Sequence, residues 1–209
     1  YPLGEKVNSE GIAGKVVAGY QGWFYAKGDK NPYNRWQHWG RQPYLAPQKD
    51  NLVVEIFPDI REYTNLYDTG FADMPDGRKT QLFSCYDEQT IDTHFKWMSQ
   101  YGIDGVALQR FSLTVRDASL ALNVTMQHVR KAAEKYGRTF YICYDMSGYT
   151  DADFVERTKK DVEEQLEGRY KVTESPSYLR EGGKPVIQLW GIGSIFSHST
   201  SADDVLTMI

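Results

Sequence analysis

The residues best suited to chemistry in this sequence are carboxylates, amides and aromatics standing at the ends of short apolar runs. Tyr20 closes Val16–Gly19 and leads into Trp23, and Glu55 and Asp59 sit in and after Leu52-Val53-Val54. Gln109 and Arg110 close the run ending at Leu108, Asp145 closes Phe140–Tyr144, and Gln188 and Trp190 end the run that starts at Pro185. A carboxylate at the mouth of an apolar strand is costly to bury unless it is paired or hydrogen-bonded. Two carboxyl groups, with aromatic faces to hold the rings, are what hydrolysis of a sugar linkage requires. Asp145 and Glu55 are therefore the first candidates for reacting or acid-tuning carboxylates. Tyr20, Trp23, His38, Trp39, Asp59, Gln109, Arg110, Gln188 and Trp190 are candidates for ligand contacts. Each has a structural alternative: Glu55 and Arg110 as members of internal ion pairs, Asp145 as a cap for Ser147 and Gly148. For Trp36, His38 and Trp39 the alternative is burial under a loop.

Other chemistries lack their residues. There is no Gly-x-Ser-x-Gly elbow. The four histidines, His38, His94, His128 and His198, form no His-x-His or His-Glu-x-x-His pair, so no metal site is expected. Gly19-Tyr20-Gln21-Gly22 is too bulky to cradle a pyrophosphate. No cofactor is expected. Cys85 and Cys143 lack metal-ligand spacing and read as buried thiols. Asn123-Val124-Thr125 is a glycosylation sequon, but it falls in an expected helix.

Composition bounds the partners. The 209 residues are 41% hydrophobic with a net charge of −4, which gives no reason to expect nucleic acid or an anionic membrane surface. No apolar run approaches the roughly 20 residues of a membrane span. The 15 Tyr and 5 Trp are an excess of aromatics, which usually pack in the core, while surplus ones around a cleft make flat platforms suited to sugar rings or bases.

The positioning elements follow from periodicity. Val16–Tyr20, Leu52–Asp59, Ile103–Phe111, Thr139–Asp145 and Pro185–Trp190 read as five strands. Helices are expected from Asp87 or Glu88 to Tyr101, with Ile91, Phe95 and Met98 inward, and from Asp117 to Tyr136, with Leu120, Val124, Gln127 and Val129 inward. A third is capped at Thr150–Asp153 and runs to about Leu166, and a fourth starts at Ser201. Strands alternating with helices imply parallel pairing through right-handed crossovers. Polar and aromatic residues at successive C-terminal strand ends favour a (β/α)8 barrel over a doubly wound sheet, because a barrel builds its site there. A barrel takes about 250 residues, so the chain, one domain over 1–209, is expected to supply roughly the first five strands. Edges near Val17 and Ile187 would then be unpaired, making the isolated chain unstable or dimeric.

The order of motifs adds to this. Val17-Ala18-Gly19-Tyr20-Gln21-Gly22-Trp23-Phe24 is followed by Trp36-Gln37-His38-Trp39, by Glu55-Ile56-Phe57-Pro58-Asp59, and by Gly102–Phe111. This order resembles the glycoside hydrolase family 71/99-like group, which includes endo-α-mannosidases and bacterial relatives labelled xylosidase/arabinosidase. The likeness runs from about residue 14 to 191. It implies a (β/α)8 barrel, a glycan substrate, no metal, and catalytic glutamates on later strands, beyond this chain. A glycoside hydrolase, secreted or periplasmic, is the expectation. A non-catalytic carbohydrate-binding protein on the same scaffold is the alternative.

Overall fold

The computed structural model describes residues 4–111, 119–146 and 153–191, together with 203, 206 and 207. Its centre is a four-stranded parallel sheet. The elements in chain order are β1 (Val17–Tyr20), β2 (Tyr67–Asp68), β3 (Gln81–Leu82), α1 (Glu88–Tyr101), β4 (Gly105–Phe111), α2 (Ser119–Tyr136) and β5 (Thr139–Asp145). Then come α3 (Asp153–Asp161), running on as a π-helical stretch Val162–Arg169, and β6 (Arg180–Glu181), β7 (Lys184–Pro185) and β8 (Ile187–Trp190). The main sheet has the order β1-β4-β5-β8, and every neighbouring pair is parallel. Strands linked by helices, all parallel and all ending on one side, make a partial α/β barrel.

Local chemistry explains the connecting helices. In α1, Ile91, Phe95 and Met98 fall on one face and are buried, and Gly102 takes the left-handed φ of 78° that ends the helix, its N–H bonding Met98 O. The inward face of α2 is Ala121, Met126, Val129, Ala132 and Ala133, not the stripe through Leu120 and Gln127, both of which are exposed. Small alanines let this helix lie close against the sheet. Asn123 is buried and accepts a bond from Arg110 at 2.8 Å, so the sequon is closed to a glycan.

One expected strand is missing. Leu52–Asp59 is irregular, with Ile56 84% exposed and Val53 also outside. The reason is topological: β1 pairs directly with β4, Val17 opposite Gly105 through Tyr20 opposite Leu108, so no gap remains for a strand between them. The segment instead belongs to a long loop region after β1. Buried Asn51 pins it by accepting the Gln42 N–H at 2.7 Å and donating to the Leu45 carbonyl at 3.1 Å. Among the described residues the barrel portion therefore has four strands rather than five. The expected helix start at Asp117, the Ser147–Gly148 turn and most of the helix from Ser201 lie outside the described residues.

The helix-facing side of the sheet is closed by a buried ionic cluster. Arg110 Nε and Nη2 donate to Asp161 at 2.6 and 2.7 Å, and the Tyr144 hydroxyl donates to the same carboxylate at 2.6 Å. This ties β4 and β5 to α3, with Asn123 adding α2. The pair is almost fully buried on both sides. Removing one partner of such a pair leaves an uncompensated charge and costs about 3–5 kcal/mol. Arg110→Met is thus expected to lower unfolding free energy in denaturant titration by that amount, and Arg110→Met with Asp161→Leu to recover most of it. Equal loss in the single and double variants would contradict this account of the cluster.

Candidate functional site

The opposite face of the sheet is the functional candidate. Side chains alternate along a strand, and the in-register pairing lines up alternate residues in rows. Gly19, Ala107 and Tyr141 share the lowest row; Gln109, Cys143 and Gln188 the next; Phe111, Asp145 and Trp190 the uppermost, at the C-terminal ends. The upper two rows, with Gln21 and Trp23, line an open cleft of about 420 Å³.

Polar groups in the cleft are held by one another. Gln109 Nε2 donates to Asp145 Oδ2, and the Tyr141 hydroxyl donates to Gln188 Oε1 at 3.2 Å. Asp145 is the only charged residue lining the cleft among the described residues. Burial, reinforced by the neighbouring Asp145 charge, raises the Cys143 thiol to about 11, so it stays protonated and forms a neutral floor. Aromatics bracket this floor. Trp190 is 50% exposed on one side. Trp23 stands on the other, 4.7 Å from the Phe111 ring and stacked at 4.7 Å on His38. His38 holds this place with a left-handed φ of 61°, unusual for a residue with a side chain.

Five expected residues thus meet in the cleft: Trp23, Gln109, Asp145, Gln188 and Trp190, with exposed His38 supporting Trp23 from outside the lining. The others do not. Arg110 faces the helices and is paired as described. Trp39 is buried, donating from Nε1 to Phe83 O at 3.1 Å and packing on Phe24 at 4.7 Å. Glu55 and Asp59 are exposed on the irregular loop, outside the cleft lining; Asp59 is bound to Arg61 at 2.5 Å, which holds its carboxyl down at about 2. Tyr141, Cys143 and Phe111 are cleft-face residues beyond the expected set. Counting back by twos from Asp145 finds the first two, and counting on by two from Gln109 finds the third.

Tyr20 turns the other way, toward α1. Its hydroxyl lies 2.6 Å from His94 Nδ1, and His94 Nε2 lies 2.6 Å from the Tyr63 hydroxyl. A neutral imidazole satisfies both, donating to one phenol and accepting from the other. Burial lowers the His94 pKa to about 4. Between pH 6.5 and 4 the unfolded chain therefore takes up a proton that the folded chain refuses, and stability falls as pH drops through that window. Two to three pKa units correspond to roughly 3 kcal/mol. Unfolding titrations at pH 7 and pH 4 are expected to show this loss in the parent and a smaller one in His94→Gln. An equal pH dependence in both would contradict it.

No protein-family model matches the chain, and no curated protein matches it. Solved structures do. A GH99 endo-α-mannosidase from Bacteroides thetaiotaomicron superposes with a TM-score of 0.57 at 13% identity, covering 90% of this chain and 47% of that one. The same organism's GH99 endo-α-mannosidase in complex with bis-tris-propane gives 0.52 at 13% identity, covering 88% and 42%. The fold is GH99-like. The chain spans less than half the length of these structures. The xylosidase/arabinosidase side of the family expectation finds no support in them.

Proposed function

We propose that the protein is a glycoside hydrolase and that the cleft holds sugar units of a neutral glycan. The observation that carries this reading is the polar row of Gln109, Asp145 and Gln188 between Trp23 and Trp190, at the C-terminal ends of parallel strands. Sugars are bound by such sets: amides and carboxylates for the hydroxyls, indole faces for the C–H surfaces. A lining whose one charge is a carboxylate, without Lys or Arg among the described residues, disfavours uronic acids and sulfated sugars by repulsion. The GH99-like fold supports endo action on α-mannosides as the finer reading. A secreted or periplasmic location accords with a polysaccharide substrate.

Asp145 is the carboxylate this sheet contributes. Hydrolysis with two carboxyl groups needs a second, which residues outside those described would supply. One carboxylate among the described cleft residues is also what a carbohydrate-binding protein without catalysis would show, so the two readings part on turnover. In the intact protein, Asp145→Asn is expected to lower kcat on yeast α-mannan by roughly 10²–10⁴-fold while leaving glycan binding largely intact. Undiminished kcat would remove Asp145 from the chemistry, and a parent protein that binds mannan without cleaving it would favour the binding reading.

A further inference from the structure

Resting on the glycan reading of the cleft, we propose that Gly19 is a specificity-determining residue. By carrying no side chain it keeps the β1 end of the floor open, so that the edge of a neutral sugar unit can lie against the strand. A glycine inside a β-strand weakens it, because the residue is entropically costly to order and packs nothing. Two structural needs normally account for one: a left-handed backbone, or a neighbour too close for a Cβ. Every other described glycine has one of these, since either its φ is left-handed or a Cβ would come to 3.0 Å or less from another atom. Gly19 has neither. It is extended in β1, opposite Ala107, and a Cβ there would meet nothing within 4 Å.

The space in front of Gly19 is the cleft. Tyr20, next along the strand, turns to His94 on the helix side, so alternation turns Gly19 to the other face, where it is exposed and lines the cleft. Lining side chains grow toward the mouth: Gly19, Gln21 and Trp23 in and after β1, and Ala107, Gln109 and Phe111 on β4. The least side-chain volume therefore lies at the base of the β1–β4 side. That base is peptide backbone and the Ala107 methyl, with no ionisable group, which suits the C–H edge of a pyranose and not a charged substituent. A side chain at position 19 would fill this space and lift the sugar off the floor.

The test is a size series in the intact protein, Gly19→Ala and Gly19→Val. Oligosaccharides released from yeast α-mannan are the probe, with calorimetry for binding and denaturant unfolding for the fold. An extended backbone accepts either residue and the Cβ has room, so both variants are expected to unfold at a midpoint no lower than the parent's. Binding is expected to weaken with size, about 3-fold in Gly19→Ala and roughly 10- to 100-fold in Gly19→Val. A glycine kept for the fold would give the opposite pattern. A lower midpoint in Gly19→Ala, or parent-like binding by Gly19→Val, would overturn the proposal. Trp190→Ala separates the underlying reading: if it binds like the parent, the cleft is not the sugar site and both claims fall. If it loses binding while Gly19→Val does not, only the role of Gly19 falls.

Discussion

The candidate site depends on the parallel, in-register pairing of β1, β4, β5 and β8. Parallel pairing places all four C-terminal ends together, and the two-residue alternation of a strand then divides neighbours in sequence between two faces. Gln109 and Arg110 are adjacent, yet one opens into the cleft and the other lies in a buried ion pair with Asp161. Cys143 and Tyr144 are separated in the same way. A slip of β5 by one residue against β4 would turn Asp145 toward the helices and Tyr144 into the cleft, parting its hydroxyl from Asp161.

The two faces hold their polar groups differently. On the helix side, Arg110, Asp161, Tyr144 and Asn123 are bonded to one another within 2.8 Å and buried. Such a cluster fixes where α3 docks more than it adds stability, since a buried ion pair barely recovers its desolvation cost. On the cleft side, Gln109 donates to Asp145 and Tyr141 donates to Gln188, so the polar side chains of this face are bonded to one another along the sheet. The loops after β1 complete the arrangement by wedging Trp23 between His38 and Phe111.

Much of the fold was legible in the sequence because its strong signals are local. The α1 face, the Gly102 stop and the apolar runs of β4 and β5 depend on neighbours within a few residues. Leu52–Asp59 misled because β-branched composition indicates fitness for a sheet, not the presence of a partner strand, and the β1–β4 pairing is set far away in sequence. The α2 face is hard to place from sequence because Ala121, Ala132, Ala133 and Thr125, weak in hydrophobicity, make up much of its packed side. In the site, strand ends were found but strand faces were not. Tyr20, Arg110 and Trp39 were grouped with Gln109 and Asp145 by position along the chain. Alternation excludes Arg110 once Gln109 is assigned to the cleft, but no local pattern shows that Trp39 folds under Phe24.

The cleft face is the side a closed barrel would enclose, and β1 and β8 are the edges of the sheet among the described residues. Half-exposed Trp190 marks that uncovered side, and Ile187, in register with Ile142 on the other face, is exposed at the β8 edge. The central claim, that this face holds a sugar, is tested most directly by the crystal structure of the intact protein soaked with α-mannan oligosaccharides. The account predicts a sugar ring over Cys143, between Trp23 and Trp190 and hydrogen-bonded to Gln109, Asp145 and Gln188. An oligosaccharide bound elsewhere, with this cleft holding only water, would contradict it.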